Sequence, residues 1–235
     1  MSGIVLASST PPDQIPGLVL PALGDTLIMV GITMSIVLVV GIPLGAAIFN
    51  AAPGGLFPNR FLHTVGGWII NLGRSLPFLI LMAAIIPFTR LLTGTNIGIP
   101  AAVVPMTIAG IAFFTRIVEN ALRAVPREYA RVAIASGAST LQVIRTAQLA
   151  EAVPSIVGGF TINTIAMIEY SAIAGTIGAG GIGYVAVTYG YQRFDHLVML
   201  ATIVILVATV ALVQFFGDRI VRRLTPALRD RSAHA

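Results

Sequence analysis

The sequence predicts an all-α polytopic membrane protein, in which five helices cross the lipid bilayer and a helix–glycine–helix elbow separates the third from the fourth. Of its 235 residues, 56% are apolar and only 10% are charged, whereas about 25% are charged in soluble domains. The mean hydropathy is +0.93. The apolar residues gather in runs of about 20, which is the length that a helix needs to cross the hydrocarbon.

Composition excludes several kinds of chemistry. Cysteine is absent, which excludes disulfides, thiol catalysis and thiolate metal sites. All 14 basic residues are arginine, so a lysine Schiff base, a lysine general base and a phosphate-binding loop with its lysine are excluded too. His63, His196 and His234 are scattered, and no carboxylate pair or nucleophile–base set is present. We therefore predict no enzymatic activity and no cofactor, with any ATP bound by another chain.

The distribution of arginine predicts the topology of the chain and gives no support for a nucleic-acid partner. The net charge is +5 and the pI is near 10.4, but the arginines flank apolar runs and form no single basic face. With the N-terminus outside, ten of the 14 arginines fall on the cytoplasmic side, and the positive-inside rule favours this orientation. They are Arg60, Arg123, Arg127, Arg131, Arg145, Arg219, Arg222, Arg223, Arg229 and Arg231.

The order of apolar runs predicts the domain organisation. Residues 1–23 form an extracytoplasmic segment, and the lack of Lys or Arg ahead of an apolar core argues against a cleavable signal. Residues 24–224 form the transmembrane domain, and residues 225–235 form a cytoplasmic tail. The five spans are expected at 26–49, 75–92, 99–118, 153–177 and 197–216.

The chain between the first two spans contains a loop and an interfacial helix. Prolines and glycines in residues 50–60 predict the loop. The helix that follows carries Trp68 and is expected in or near the membrane interface. Arg74 then lies near the cytoplasmic mouth, either as a snorkelling side chain at a helix end or as one half of a functional ion pair.

The elbow belongs to the long polar stretch from Pro126 to Pro154. Pro126 suits the first position of a helix, Gly137 can end that helix in a left-handed conformation, and Ser139 or Thr140 can cap a second short helix. One interpretation is a cytoplasmic loop whose arginines fix the topology, and the other is a docking surface for a partner's groove. The candidate docking residues are Tyr129, Ala130, Arg131, Gly137, Ala138, Thr140 and Leu141.

The fourth span carries candidates for a polar path. Glu169 is the most costly of them in lipid, and an ionisable group inside a span is by default a functional-site hypothesis. Three interpretations of Glu169 stay open: it lines the path, it pairs with Arg74 or Arg116, or it reaches water near the outer end of the span. The other side chains line the path, hydrogen-bond between helices or fill space. The candidate path residues are Asn163, Met167, Glu169, Tyr170 and Ser171.

Residues 178–183, Gly-Ala-Gly-Gly-Ile-Gly, match the G-x-G-x-x-G spacing of dinucleotide sites. That fingerprint needs a preceding strand and a following helix in one βαβ unit, and here it follows an apolar span. We therefore predict a tight non-helical segment at the outer mouth, where glycines allow close packing. It opens a Gly- and Tyr-rich loop over residues 178–195.

Four stretches resemble the permease subunit of methionine-importing ABC transporters. They are RSLPFLILMAAIIPFTRLLTGTNIGI (74–99), ARVAIASGAS (130–139), EYSAIAGTIGAGGIGYVAVTYGY (169–191) and QFFGDRIVRRL (214–224). The resemblance runs from about Gly24 to Leu224, and it identifies the elbow with the ATPase-coupling loop of ABC importers. Glu169 departs from the pattern, because the methionine group commonly has an uncharged residue before the Tyr-Ser pair.

The resemblance implies a homodimer in the bacterial inner membrane, arranged around a central path. Two ATP-binding subunits would dock on the elbows, and an extracytoplasmic binding protein would deliver methionine. ATP-driven closure of the partners would then move the spans between inward-facing and outward-facing states. Two alternatives stay open: an ABC permease for another amino acid or small organic solute, and an ion-coupled transporter or channel that uses Glu169. The lack of inverted-repeat symmetry in five spans argues against the second.

Overall fold

The computed structural model describes residues 10–225, and every regular element in that range is helical, which confirms the all-α class. The expected N-terminal segment as far as residue 9, and the tail from residue 226, lie outside the described residues. The α-helices of this range are α1 (Ile15–Ala51), α2 (Arg60–Ser75), α3 (Phe78–Ala84), α4 (Ile86–Thr93), α5 (Ile99–Ala124), α6 (Arg127–Ala135), α7 (Thr140–Gln142), α8 (Ala150–Ala174), α9 (Gly181–Val185) and α10 (His196–Leu224). The π-helical stretches are Val143–Leu149, Gly175–Ala179 and Ala186–Tyr191.

In the described part of the chain, four helical runs are long and apolar enough to cross a bilayer. A fifth span is added if a sharply bent helix pair counts as one. The bent pair is α2 with α3, at an angle of 107°. The four runs are Ile15–Ala51, Ile99–Ala124, Thr140–Ala179 and His196–Leu224.

The second expected span, at 75–92, is not one helix. Pro77 restricts Leu76 to an extended conformation (φ −85°, ψ 130°), which separates α2 from α3. Pro87 lacks the N–H that would continue α3 into α4, and the helix breaks at Ile85. Both prolines stand in the sequence, but the expected single span ignored their effect.

The first span begins earlier than expected. Helix α1 starts at Ile15 and not near residue 26, so part of the expected N-terminal segment forms its first turns. Pro16 is tolerated there because the first N–H groups of a helix have no partner within the helix. With 37 residues, α1 is about 55 Å long. The hydrocarbon core is only about 30 Å thick, so α1 extends beyond it or tilts.

The chain divides into two compact units, and the four long helices contribute residues to both. The first unit comprises residues 10–35, 77–108 and 164–213, and it contains Glu169. The second comprises residues 36–76, 109–163 and 214–225, and it contains the elbow.

The first unit has an apolar core between the N-terminal part of α1, helix α9 and the start of α10. Val19, Ile182 and Val198 are its most buried members, none of them more than 1% exposed. Gly183 passes so close to the carbonyl oxygen of Ala172 that a side-chain carbon at this position would collide with it. The backbone of α9 therefore packs directly against α8.

The expected loop over residues 178–195 is wrong for most of its length, because the chain there is largely helical. The backbone leaves the helix around Gly178 and Gly180, whose φ values of +104° and +84° favour glycine, and again at residues 192–195. The chain becomes helical again at α9. The N–H of Gly98 donates to the carbonyl of Gly178 at 2.9 Å, which pairs one of the groups freed by the break. The non-helical segment predicted from the glycines is present but short.

The second unit packs α1 against α5 at two glycines. A side-chain carbon at Gly41 would lie 2.7 Å from the ring of Phe114, and one at Gly45 would lie 2.6 Å from Val118. Phe114 is fully buried and meets the ring of Phe160 edge to face, with the centroids 5.5 Å apart. Lipid tails are as apolar as these side chains, so close packing is what favours helix association in a membrane.

Asp195 fastens the start of α10. Its Oδ1 accepts the N–H groups of Leu197 and Val198 at 3.2 and 3.1 Å, and its Oδ2 accepts the N–H of Thr10 at 2.6 Å. Burial of the carboxyl group opposes its ionisation, but the hydrogen bonds from Thr10 and from the helix outweigh burial. The pKa of Asp195 is therefore lower than its usual value.

We expect Asp195→Asn to remove a stabilisation that depends on pH. Because folding lowers the pKa of Asp195, its carboxylate stabilises the fold above about pH 4, and this stabilisation is lost as the pH falls through the lowered pKa. At pH 7 the variant should melt a few degrees below the wild type, which corresponds to about 1 kcal/mol. In acid the two should converge. Thermal unfolding in detergent between pH 7 and pH 3 measures this difference.

Asp218→Asn is the matched control, because Asp218 is exposed on α10 and its carboxylate accepts a surface hydrogen bond from Gln214. It should melt like the wild type at every pH. A shift of the same size and pH dependence in both variants would contradict the role given to Asp195.

Candidate functional site

The first helix of the elbow, α6, ends where the sequence predicts. Gly137 has a φ of +83°, and its N–H donates to the carbonyl of Ile134 at 2.9 Å, which confirms the left-handed helix end at this glycine. The start of α6 differs from the expected one by one residue. Pro126, with a ψ of 132°, stands before the helix as its capping residue and is not its first helical residue.

The second helix of the elbow starts at a capping box. Ser139 Oγ accepts the N–H of Gln142 at 3.4 Å, and the N–H of Ser139 donates to Gln142 Oε1 at 2.7 Å. Of the two caps considered, Ser139 and Thr140, the first is used. This helix is longer than expected, because α7, α8 and the two π-helical stretches Val143–Leu149 and Gly175–Ala179 form one run, Thr140–Ala179. The elbow thus leads directly into the third of the four long runs, which contains the expected fourth span.

The elbow presents an exposed apolar side. Helix α6 has no buried residue, and Arg127 and Arg131 are exposed one turn apart on it. Of the candidate docking residues, Ala130 and Ala138 are half-buried and the other five are exposed. Exposed apolar surface beside positive charge favours a docking surface over a solvated loop. The large exposed apolar side chains are Tyr129 (48%), Val132 (66%), Ile134 (51%) and Leu141 (55%).

A buried amide pair anchors the helical run behind the elbow to α1. Asn50 Nδ2 donates to Gln148 Oε1 at 2.8 Å, and Gln148 Nε2 donates to Asn50 Oδ1 at 3.0 Å. Asn50 also donates to the carbonyl of Ala46 at 2.9 Å. Their exposed fractions are 0% and 6%, so water cannot replace these bonds. No local sequence pattern reveals this pair, because its members lie 98 residues apart.

A cavity of about 200 Å³ lies between the elbow and the loop that follows α1. The loop side is formed by residues 52–56, and the amide pair of Asn50 and Gln148 also lines the cavity. The elbow, the loop and the amide pair therefore surround one space. The elbow residues that line it are Arg127, Ala130, Arg131 and Ile134.

The candidate path residues of α8 do not share one environment. Asn163, Met167 and Ser171 are buried within the chain, at 1% exposure or less. Asn163 Nδ2 donates to the carbonyl of Gly110 at 3.2 Å, and Ser171 Oγ donates to the carbonyl of Ile168 at 2.6 Å. These observed bonds are contacts within the chain, of the kind that join helices or reinforce one helix.

Glu169 and Tyr170 are the accessible candidates. Tyr170 is half-buried and stacks on Phe78, with the ring centroids 4.3 Å apart and the planes 4° from parallel. Glu169 is exposed, and it is the only exposed one of the five candidates. A carboxylate exposed on a membrane span needs water, a headgroup or another chain beside it.

A charged cluster that the sequence analysis did not predict lies on α5. Glu119 is 1% exposed and receives Arg116 at 2.6 Å and Arg123 at 2.7 Å. Arg116 Nη2 also donates to Asn71 Oδ1 on α2 at 2.8 Å. The spacing of three and four residues along one helix was the signal that could have revealed the two ion pairs. Within the described residues, no group of three or more His, Asp or Glu side chains is placed to hold a metal ion.

Arg74 contacts an aromatic ring. Its guanidinium lies 5.6 Å from the ring centroid of Phe113, and the residue is exposed. Arg116 uses its guanidinium for Glu119 and Asn71. One alternative for Glu169 was an ion pair with Arg74 or Arg116. The contacts observed for these two arginines are with other residues, namely Phe113, Glu119 and Asn71.

These features define a class of protein: an all-α membrane protein whose spans are interrupted by an exposed helix–glycine–helix elbow. The family model described as "Binding-protein-dependent transport system inner membrane component" matches residues 38–230. The chain belongs to this family, and the membership predicted from its sequence motifs is confirmed.

Relatives with curated names agree over nearly their whole length. The probable D-methionine transport system permease protein MetI of Vibrio cholerae serotype O1 is 44% identical over 207 residues, which cover 88% of this chain and 92% of that protein. The D-methionine transport system permease protein MetI of Escherichia coli strain K12 is 40% identical over 201 residues, covering 86% of this chain and 93% of that protein.

Solved structures agree with the fold. A chain of the inward-facing MetNI methionine ABC transporter has a TM-score of 0.89 at 38% identity, covering 92% of this chain and 100% of that one. A chain of an amino acid ABC transporter with histidines has a TM-score of 0.61 at 20% identity, and the match covers 85% of this chain and 94% of that one. At this identity it supports the fold alone.

The amide pair yields a prediction for stability. Asn50→Leu leaves the Gln148 amide buried without its partner, which should cost about 1–3 kcal/mol. The double variant Asn50→Leu/Gln148→Met replaces both amides by apolar side chains and should recover most of that loss. Thermal unfolding of the purified chain in detergent measures both.

Asn120→Leu is the control, because Asn120 is exposed on α5 and the substitution is the same. It should change the melting temperature little. A double variant as unstable as Asn50→Leu would show that the loss of stability comes from altered side-chain packing and not from an unpaired amide.

Proposed function

We propose that the chain is the permease subunit of an ATP-driven methionine importer in the bacterial inner membrane. The observation that carries this proposal is the 44% identity to the V. cholerae permease over 88% of the chain. The TM-score of 0.89 to a chain of the MetNI methionine transporter supports the same function from the fold. The curated relatives are named for D-methionine, so both enantiomers are candidate substrates.

ATP hydrolysis belongs, in this proposal, to two copies of a separate subunit that dock on the elbows. The sequence contains no lysine and hence no phosphate-binding loop with its usual lysine. The elbow offers what a docking partner requires. Tyr129, Val132 and Leu141 are exposed apolar anchors, Arg131 adds charge, and the left-handed turn at Gly137 fixes the shape.

The elbow is joined to the path by a continuous helical run. Thr140–Ala179 begins in the elbow and carries Glu169. A displacement of the elbow by the ATPase subunits therefore displaces α8 with it, and Gln148 on the same run holds Asn50 at the end of α1. This arrangement supports alternating access driven by a mechanical contact.

Two copies of the chain enclose the path, and Glu169 faces it. A charged side chain in the centre of a span costs about 2.5–3.5 kcal/mol or more against lipid. An aqueous path between two copies removes that cost for an exposed carboxylate. Methionine carries an α-ammonium group, which complements the carboxylate during passage. Asn163, Met167 and Ser171 support the helices of the path from within the chain.

The N-terminus lies outside, and the elbow and the C-terminus lie in the cytoplasm. The excess of arginine around the elbow and after α10 supports this orientation. An extracytoplasmic binding protein then delivers the substrate on the side opposite the elbow, in keeping with the description of the family as binding-protein-dependent.

Uptake of labelled methionine into proteoliposomes tests the function. The liposomes hold this chain with its ATPase partner, ATP inside and binding protein outside. We expect accumulation that requires ATP and is blocked by excess unlabelled methionine. Uptake without ATP that collapses with an ion gradient would indicate an ion-coupled transporter. ATP hydrolysis without methionine accumulation would retain the ABC architecture and reject methionine.

Leu141→Asp tests docking on the elbow in the same liposomes. Leu141 is 55% exposed, and an acidic residue near a helix start is locally tolerated. Burying its carboxylate in a partner's groove should cost about 2 kcal/mol. The ATPase should then bind about 30-fold more weakly, and uptake should fall with it. Thr146→Asp introduces the same charge at an exposed position outside the candidate docking residues. Equal loss of ATPase binding in both variants would argue against the elbow as the docking surface.

Glu169→Gln tests the path. The substitution keeps the size of the side chain and removes its charge. We expect the KM for methionine to rise about fivefold, because a charge pair in contact with water contributes about 1 kcal/mol. Glu151→Gln is the matched control, since Glu151 is an exposed glutamate in the first turn of the same helix. An unchanged KM in Glu169→Gln would remove this residue from the path and leave the importer assignment intact.

A further inference from the structure

A second cavity, of about 310 Å³, lies between α2 and α5. It is lined by the charged cluster of Arg116, Glu119 and Arg123, with Trp68 and Asn71 beside it. This cavity shares no lining residue with the one behind the elbow, and the proposed transport function does not use it.

The cluster carries an uncompensated positive charge. Glu119 is the carboxylate between the two guanidinium groups, at 2.6 and 2.7 Å, so the three side chains sum to a net charge of +1. The side chain of Arg123 is 64% exposed, while that of Glu119 is 1% exposed. A guanidinium has five N–H donors, and Arg123 donates to Glu119 through one nitrogen. Arg123 therefore keeps donors for a further anion.

In the proposed topology, the cluster lies at the depth of the lipid headgroups. Arg123 is in the last turn of α5, just before the elbow, and Arg116 is about 10 Å further along the helix. The headgroup region on each side of a bilayer is roughly 5–8 Å thick. Arg123 therefore lies at headgroup level, and Arg116 lies near the boundary with the hydrocarbon.

Helix α2 offers an apolar face beside the cavity. Phe61, Val65, Trp68 and Leu72 follow at intervals of three and four residues and share one side of the helix. Phe61 and Trp68 are 77% and 73% exposed. An exposed apolar helix face next to positive charge is the arrangement with which interfacial helices bind anionic lipids.

We propose that this cavity binds the headgroup of an anionic phospholipid, with Arg123 and Arg116 as ligands of the phosphate and the exposed face of α2 against the acyl chains. A phosphodiester with one negative charge brings the net charge of the cluster to zero. A zwitterionic lipid carries the same phosphate together with an ammonium group, which the cluster repels. The charge balance therefore selects anionic lipids.

Fluorescence of Trp68 provides the test, because it is the only tryptophan of the chain and it lines the cavity. The full-length chain is reconstituted in phosphatidylcholine vesicles that contain a small fraction of lipid with brominated acyl chains, which quench tryptophan on contact. Brominated phosphatidylglycerol should occupy the site about fivefold more readily than brominated phosphatidylcholine, the preference expected for one guanidinium near a membrane surface.

Variants of Arg123 separate the site from general attraction of lipid to a basic protein. Arg123→Gln should remove the preference for phosphatidylglycerol, and Arg123→Lys, which keeps the charge, should retain most of it. Arg145→Gln removes an arginine that is exposed but does not line the cavity, and it should keep the full preference. Retention of the preference in Arg123→Gln would overturn the proposal.

Further outcomes decide the identity of the ligand. Equal quenching by both brominated lipids in the wild type would overturn the proposal, because lipid would then contact Trp68 without any headgroup preference. Absence of quenching by either lipid would overturn it too, and would indicate that α2 is covered by a second copy or another protein. Relief of the quenching by soluble glycerol phosphate at low millimolar concentration would show that the cavity binds free phosphate esters, which would overturn the assignment to lipid. Quenching that keeps its headgroup preference in the presence of glycerol phosphate supports it.

Discussion

Every peptide group that enters a bilayer needs a hydrogen-bond partner within the protein, and this requirement shapes the whole chain. It is met along the four long runs by helical hydrogen bonds. Where the helix is interrupted, other groups supply the partner. The hydroxyl of Thr26 accepts the N–H of Ile182 at 3.0 Å, Gly98 donates to Gly178, and the Asp195 carboxylate accepts two N–H groups at the start of α10. Hydrogen bonds from elsewhere in the chain or from a capping side chain thus replace helical bonds at these breaks.

Two glutamates illustrate the second constraint, which is the cost of charge away from water. Glu119 is neutralised within the chain by two arginines, and its burial is possible only because both are there. Removing either arginine would leave a buried charge partly uncompensated. Glu169 is exposed on α8. In the proposed function, its charge faces an aqueous path between two copies of the chain.

In the proposed function, the elbow is the surface on which the ATPase subunits dock. Its ends are fixed by local hydrogen bonds at Gly137 and Ser139, so its shape does not depend on a partner. Its exposed apolar side chains remain available for a partner, while the buried pair of Asn50 and Gln148 holds the following helix to α1. The elbow is therefore accessible on its outer side and held by hydrogen bonds at its turn and at the helix behind it.

The sequence by itself determined what depends on local chemistry. Hydropathy gave the membrane class, Gly137 ended a helix because only glycine adopts its φ easily, and the motifs gave the family. Only the tertiary structure decided which polar side chains of α8 are buried and which is exposed, and that Asn50 meets Gln148. The break of the second span at Pro77 and Pro87 is local chemistry as well, although the expected single span left it out. Burial and long-range pairing depend on which helix faces pack together, and in an apolar chain almost every face is hydrophobic enough to do so.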